Sequence, residues 1–186
     1  LQLPPTDPGT RSSNASVDSA DIFAEIVDAS KLSIKEILAK ATDFKNDGAN
    51  VIDVGCLPET EFPHLEETVQ ELKNKGFKVS VDSLEPSELI RGSNAGADFL
   101  LSLTPDTLWV LNEVSATPVL IPKEPEDEKS LIKSIEYLLK TERDFYADAI
   151  LDPIPFGLVN SICRYQRLRK IFPEIKILMG VGNVSE

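Results

Sequence analysis

Short apolar segments alternate with longer amphipathic segments along the chain from residue 21 onward. Most of the short segments are apolar on consecutive residues rather than on alternate ones, which is typical of parallel strands covered on both faces. We therefore predict strands at residues 22–27, 51–54, 79–81, 99–103, 119–121, 149–151 and 177–181.

The longer segments carry helix signals. Ser33 and Glu36 have the spacing of a capping box, and Gly48 follows the end of the helix that they begin. Further helices are predicted from Pro63 to Gly76 and at residues 86–95, 105–114, 127–145 and 158–172.

Strands that alternate with helices, without a hairpin signal between them, indicate one parallel sheet. Such a sheet is either doubly wound and open or curled into a barrel. No Gly-x-Gly-x-x-Gly motif follows the first strand, so a dinucleotide-binding fold has little support. We predict the α/β class and a TIM-type (β/α)8 barrel, with about seven βα units in this chain.

Residues 1–20 differ from the rest, because they are rich in Pro, Ser, Thr and Asp and show no apolar period. We predict a flexible N-terminal segment there and a barrel domain at residues 21–186. A (β/α)8 barrel has eight strands and typically ~250 residues. The seventh predicted strand ends near the last residue, so we expect the barrel to be truncated before its last strand; a naturally seven-stranded or open variant is the alternative.

Composition limits the kinds of partner that the protein is expected to bind. A net charge of −12 disfavours binding to nucleic acid or to anionic membranes, and no apolar run or leader pattern indicates a membrane span or secretion. We expect a cytoplasmic protein. Cys56 and Cys163 lie far apart and His64 is the only histidine, so neither a disulfide framework nor a metal site is predicted.

Polar side chains follow almost every predicted strand. In a parallel barrel these positions share one end, where the ligand sites of this fold are built from several strands at once. A single aspartate at such a position is weak evidence, because it also serves as a helix N-cap. The candidate residues are Asp28, Asp53, Asp82, Ser102, Lys123, Asp152 and Asn183.

Asp82 and Asp152 are the strongest candidates, because each ends an apolar run directly before a loop, in VSVDS and AILDP. Two carboxylates at one barrel mouth could bind a metal, act as acid and base, or accept hydrogen bonds from a polar ligand edge. The lack of clustered histidines disfavours a transition metal.

Five segments, taken in order, resemble the dihydropteroate-synthase-like, pterin-binding family, and the resemblance extends over nearly all of residues 21–186. It implies a barrel whose mouth holds a pterin ring, with Asp82 and Asp152 at the family's pterin-binding aspartates. A carboxylate suits the adjacent N–H and NH2 donors of that ring. The segments are GANVIDVG (48–55), VSVDSLEPSEL (79–89), GADFLLSL (96–103), AILDPIPFG (149–157) and MGVGNVSE (179–186).

The chain also departs from the synthase pattern. Leu101, followed by Ser102, stands where the synthase usually has an asparagine, and residues 56–59 replace its Gly-Glu-Ser-Thr run. Residues 182–185 read Gly-Asn-Val-Ser and lack the synthase's lysine. That segment is similar to the methyltetrahydrofolate–corrinoid methyltransferases, in which the asparagine, here Asn183, meets the pterin.

Three hypotheses follow. The first is a transferase acting on a reduced pterin or folate derivative, in folate or methanopterin metabolism. It either condenses an arylamine with the pterin or moves a one-carbon unit, with a corrinoid protein as partner if that unit is a methyl group. The second is a non-catalytic pterin-binding domain of a larger protein, and the third is an unrelated metal-assisted TIM-barrel enzyme. A homodimer is left open, and no catalytic residue is assigned. For the pterin we predict Asp82, Asp152, Asn183, Ser102 and Asp53 as contacts, with Asp28 and Lys123 as secondary candidates.

Overall fold

The computed structural model describes residues 20–185, so the flexible segment predicted at residues 1–20 lies almost wholly outside the described part. The strands are β1 (Phe23–Ile26), β2 (Val51–Gly55), β3 (Lys78–Asp82), β4 (Phe99–Leu103), β5 (Thr117–Leu120), β6 (Tyr146–Ala147) and β7 (Lys176–Ile177). The α-helices are α1 (Ile34–Asn46), α2 (Leu65–Asn74), α3 (Pro86–Asn94), α4 (Glu128–Leu138) and α5 (Leu158–Ile171). Short 3-10 helices lie at Ala29–Lys31, Pro105–Asn112, Ile154–Phe156 and Val181–Ser185.

Each strand pairs in parallel with the next strand of the chain, which gives one seven-stranded sheet in the order β1 to β7. Sequential parallel neighbours joined through helices curl into the wall of a barrel. Among the described strands, β1 pairs only with β2 and β7 only with β6, so the barrel is open. The predicted fold class, an incomplete TIM-type barrel of seven strands, is confirmed.

The core lies between the sheet and its outer helices. Leu65, Val69 and Leu72 recur on one face of α2 and are fully buried, as the 3.6-residue period requires. Each such side chain stabilises the fold by about 1.5–3 kcal/mol. None of the helices within residues 20–185 has the length and apolarity needed to cross a membrane.

The first helix begins as the capping box predicts. Ser33 Oγ accepts a hydrogen bond from the Glu36 N–H at 3.4 Å, and Glu36 Oε2 accepts one from the Ser33 N–H at 2.8 Å. Two other helices differ from their predicted bounds. The segment at 105–114 is a 3-10 helix that ends at Asn112, and the helix predicted to reach residue 145 ends at Leu138.

The sixth strand was predicted at residues 149–151, and this is wrong because the strand is Tyr146–Ala147. Asp148 Oδ1 accepts a hydrogen bond from the Ile150 N–H at 2.7 Å, and Ile150 has a positive φ of 58°. A side chain that bonds its own backbone two residues on makes a turn. The chain therefore leaves the sheet at Asp148, and Asp152 lies in the following loop.

The seventh strand was predicted at residues 177–181 but is limited to Lys176–Ile177. Beyond it the backbone folds back on itself, with the Asn183 N–H donating to Gly180 O at 3.2 Å. Asn183 is therefore part of a 3-10 turn and does not end a strand.

Candidate functional site

The first three strands place polar side chains on one face of the sheet. Glu25 pairs with Asp53, and Asp53 pairs with Ser80, so all three point to the same side. Asp82 lies two residues after Ser80 and shares that side. A Cβ atom at Gly92 of α3 would lie only 2.7 Å from Val81 Cγ2, which shows that Val81 faces the helices. The polar set therefore faces the barrel interior.

Asp53 is almost completely buried, with 4% of its surface exposed. Ser80 Oγ donates a hydrogen bond to Asp53 Oδ1 at 2.5 Å. Burial raises the pKa of Asp53 to about 7, and the nearby charge of Glu25 acts in the same direction, while the Ser80 hydrogen bond opposes both. The group is thus close to its midpoint at neutral pH.

Asp82 ends β3 and is the most unusual carboxyl group of the site. Burial, followed by the charges of Asp53, Glu25 and Asp148, raises its pKa to about 8. Within residues 20–185, no hydrogen-bond donor contacts its carboxylate. A half-buried acceptor without a donor is the feature that a ligand with N–H groups would complete.

Asp148 follows β6 directly and was missed by the sequence analysis. Only 9% of its surface is exposed, and burial raises its pKa. Tyr165 Oη and the Ile150 N–H donate hydrogen bonds to Asp148 Oδ1. The charge of Asp148 adds to the rise in the pKa of Asp82, so the ends of β3 and β6 influence each other electrostatically.

Asp152 lies in the loop between β6 and α5, where Arg164 holds it. The Arg164 guanidinium, 5% exposed, donates to Asp152 Oδ2 at 3.0 Å. It also donates to Ala149 O at 3.2 Å and to Ile150 O at 2.7 Å. One carboxylate oxygen of Asp152 is therefore fixed by a buried cation, which also ties the loop to the helix.

Asn183 lies beside this loop. Its Nδ2 donates to Leu151 O at 3.3 Å. A Cβ atom at Gly180 would lie 3.4 Å from Asn183 Nδ2 and 3.7 Å from Asp148 Oδ2. The structure thus brings Asn183, Asp148 and the residue preceding Asp152 together around Gly180.

No model of a known protein family matches the chain. It is 30% identical over 187 residues to an uncharacterized protein of Methanocaldococcus jannaschii, covering 89% of this chain. The chain spans 35% of the length of that relative.

Several solved structures match the chain in fold. The dihydropteroate synthase of Xanthomonas albilineans, in complex with 7,8-dihydropteroate, matches 87% of this chain and 71% of its own with a TM-score of 0.68 at 16% identity. The chain has the dihydropteroate synthase fold. A Yersinia pestis synthase with a pterine-sulfa conjugate gives 0.64 at 16% identity over 86% and 70% of the two chains. Mycobacterium tuberculosis Rv1207 gives 0.62 at 20% over 88% and 74%.

These identities are low, so the likeness is one of fold. The predicted resemblance to the dihydropteroate-synthase-like family is confirmed at that level. In a dihydropteroate-synthase-like barrel the strands end at one mouth, and Asp82 and Asp148 end their strands on that side.

The remaining predicted residues lie less centrally in this dihydropteroate-synthase-like fold. Ser102 lies within β4, and its N–H donates to Ser83 O at 3.2 Å. Asp28 and Lys123 lie in exposed loops, where they form ion pairs with Lys31 at 3.0 Å and Asp106 at 2.7 Å. Exposed pairs of this kind contribute at most about 1 kcal/mol.

Within residues 20–185 this mouth has neither a metal-binding cluster nor a thiol with a lowered pKa. In the described range, no group of three or more His, Cys, Asp or Glu side chains is arranged to hold a metal ion. Cys56 is a free thiol next to this mouth, and burial, together with the carboxyl groups of Glu88 and Asp82, raises its pKa. That thiol therefore stays protonated at neutral pH and is a weak nucleophile.

Proposed function

We propose that the barrel mouth binds a reduced pterin or folate derivative and that the protein is a pterin-dependent transferase. The observation that carries this proposal is the Asp82 carboxyl group, which ends β3 without a hydrogen-bond donor among the described residues. Support comes from the fold, since two solved structures with it contain 7,8-dihydropteroate or a pterine-sulfa conjugate.

The chemistry of the ligand matches that of the site. The pyrimidinone edge of a pterin presents a ring N–H beside an exocyclic NH2 group. A carboxylate accepts both hydrogen bonds at once, as it does from arginine. We assign this contact to Asp82, with Asp152 as a second carboxylate whose orientation is fixed by Arg164.

Three further residues have supporting roles in this proposal. The Asn183 amide, beside the Asp152 loop, adds a donor and an acceptor for the ring. Asp53 contacts Ser80 and acts on the site through its charge. Ser102 lies in the neighbouring strand β4.

The reaction we favour is transfer of a one-carbon unit from a reduced pterin. This version is supported by the Gly-Asn-Val-Ser segment at residues 182–185, which contains no cationic side chain after β7. Arylamine condensation is the other version of the transferase. A pterin-binding domain without catalysis remains the alternative to both.

Isothermal titration calorimetry with 7,8-dihydropterin and with tetrahydrofolate tests binding. We expect wild-type protein to bind and Asp82→Asn to weaken affinity by about tenfold or more, because an uncompensated ligand donor costs ~1–3 kcal/mol. Asp106→Asn, which removes an exposed carboxylate, is the matched control and should bind normally. Failure of folded wild-type protein to bind either compound would refute the proposal.

An activity assay on the same sample distinguishes a pterin-dependent transferase from a non-catalytic pterin-binding domain. Incubation with a methylated reduced folate and a cob(I)alamin acceptor should produce methylcobalamin, detected by its absorbance. Incubation with a dihydropterin diphosphate and an arylamine tests the condensation version. Tight binding without either product would favour the non-catalytic pterin-binding domain.

A further inference from the structure

Glu88 is a buried carboxyl group on the helix side of the barrel mouth, and the proposed pterin contacts do not include it. It lies in the first turn of α3, and only 7% of its surface is exposed. Burying a carboxyl group costs free energy unless hydrogen bonds compensate, and an apolar side chain of similar volume often stabilises a fold as well or better. The fold alone therefore does not require a carboxyl group at this position.

The hydrogen bond that Glu88 accepts leads directly to the end of β3. Ser83 Oγ donates to Glu88 Oε2 at 2.6 Å, and the same Oγ accepts a hydrogen bond from the Glu85 N–H at 2.9 Å. Ser83 is buried and follows Asp82 in the chain. Because successive side chains point to opposite faces of a sheet, Asp82 faces the barrel interior and Ser83 faces α3. Glu88 thus holds the residue next to Asp82 from the opposite side of the sheet.

The backbone around Asp82 is fixed on both sides as well. The Cys56 N–H donates to Asp82 O at 2.8 Å, which ties the end of β3 to β2. The Ser83 N–H donates to Leu101 O at 2.6 Å, which ties it to β4. Burial, and then the nearby Glu88 carboxyl group, raise the pKa of the Cys56 thiol, so Glu88 also lies close to the residue that follows β2. The Glu88 carboxyl group therefore links the ends of β2 and β3 to the start of α3.

We infer that Glu88 is a positioning residue for the pterin contact of Asp82 and that it acts through the Ser83 hydroxyl. This inference rests on the proposed function and adds to it the residues that orient its main contact. Two parallel hydrogen bonds from a pterin edge need a carboxylate in one orientation, because such bonds weaken steeply as they depart from linearity. A strand end held by Ser83 and Glu88 keeps that orientation before the ligand binds, so less conformational freedom is lost on binding.

Calorimetric titration with 7,8-dihydropterin tests this role. We expect Glu88→Ala to weaken affinity about fivefold, the size expected for one lost hydrogen bond, because Ser83 loses its acceptor. Ser83→Ala removes the other partner and should weaken affinity to a similar extent. Glu88→Gln should stay within about twofold of wild-type protein, since its amide oxygen accepts the same hydrogen bond.

The matched control is Glu67, which is exposed. It is the third residue of α2, as Glu88 is the third residue of α3. Glu67→Ala therefore removes the same favourable interaction with a helix N-terminus and should leave pterin affinity unchanged.

A second background shows whether Glu88 acts through Asp82. Asp82→Asn already removes the oriented carboxylate, so adding Glu88→Ala to it should cause no further loss of affinity. A merely structural role would instead give losses that add in the double variant. Circular dichroism checks the folding of each variant, and Ser83→Ala in the same background gives the test if Glu88→Ala does not fold.

The outcomes distinguish this inference from the proposed function. If folded wild-type protein binds no pterin, the proposed function fails and the inference fails with it. If wild-type protein binds and folded Glu88→Ala and Ser83→Ala bind equally well, the pterin site stands and the positioning role is wrong. Losses that add to that of Asp82→Asn, or a loss in Glu88→Gln as large as in Glu88→Ala, would overturn the positioning role in the same way.

Discussion

A carboxylic acid kept partly neutral at physiological pH can serve as a donor or, after losing its proton, as an acceptor. Asp82 is such a group because burial and three neighbouring carboxylates disfavour its ionised form. Asp53 differs in one respect, since Ser80 satisfies one of its oxygens. At the scale of the residue, the two aspartates thus differ. The Asp82 carboxylate is available to a ligand, whereas one oxygen of Asp53 already accepts a hydrogen bond from Ser80.

Pterin affinity should depend on the ionisation of Asp82. Since the two N–H donors of the ring stabilise the carboxylate, binding at neutral pH should release a proton from Asp82, whose pKa is about 8 in the free protein. Affinity should therefore rise as the pH increases from 6 to about 8 and level off above that range. Calorimetry in buffers of different ionisation enthalpy measures the released proton directly. A pterin affinity that falls over this pH range would mean that the ligand binds neutral Asp82.

At the scale of the element, α5 organises the loop after β6. Its Arg164 and Tyr165 reach back to Asp152 and Asp148. Neither contact follows from local sequence, because 12 and 17 residues separate the partners. The capping box of Ser33 and Glu36 was predictable for the opposite reason, since its partners are three residues apart.

The strands likewise differ in how well the sequence predicted them. Consecutive apolar residues identified β2 to β5 because most residues of those strands are buried on both faces of the sheet. Strand β6 has two residues, and the side chain of Asp148 ends it through a turn with Ile150. The sequence analysis therefore selected Asp152, which lies in the motif AILDP, and overlooked Asp148. The apolar-to-aspartate step at Ala147 and Asp148 was the available signal.

Replacing Arg164 should destabilise the loop and helix together. Arg164→Ala leaves Asp152 and two carbonyl oxygens without their buried donor, and breaking a buried ion pair typically costs ~3–5 kcal/mol. Arg164→Lys should recover only part of this loss, because an ammonium lacks the fork of donors. Urea unfolding measures the difference.

The control for this prediction lies on the same helix. Arg167 is exposed and pairs with Glu128, so Arg167→Ala should cost at most about 1 kcal/mol. Equal losses of stability in Arg164→Ala and Arg167→Ala would contradict the structural role assigned to Arg164.

At the scale of the whole molecule, the net negative charge and the buried carboxyl groups both disfavour the folded state. The chain carries a net charge of −12, and the barrel interior adds buried carboxyl groups whose ionised forms are disfavoured. Net repulsion of this size destabilises a compact state. The buried carboxyl groups are thus unfavourable for folding, and unfavourable groups of this kind occur mainly at functional sites.

This balance predicts how the stability of the ligand-free protein depends on pH. Asp53 and Asp82 have pKa values of about 7 and about 8 in the folded chain, against about 3.9 when unfolded. The folded state therefore binds more protons, so their contribution is complete below pH ~4 and is lost as the pH rises towards 8. Lowered pKa values at Glu36, Glu66 and Glu128 act oppositely and weaken the fold in strong acid. Stability should thus peak at mildly acidic pH.

The free energy of unfolding in urea should accordingly be larger at pH 5.5 than at pH 8.5, by up to about 5 kcal/mol, because each group contributes about 1.4 kcal/mol per pH unit below its folded pKa. Asp53→Asn should flatten this dependence, because an amide still accepts the Ser80 hydrogen bond but does not ionise. Asp43→Asn, on the exposed face of α1, removes the same formal charge and should leave the slope unchanged. Repeating the series in 0.5 M salt separates general repulsion from the buried groups, since salt screens the former much more strongly. A slope that vanishes in salt for wild-type protein would assign the whole effect to net charge and leave Asp53 and Asp82 without the role argued for them.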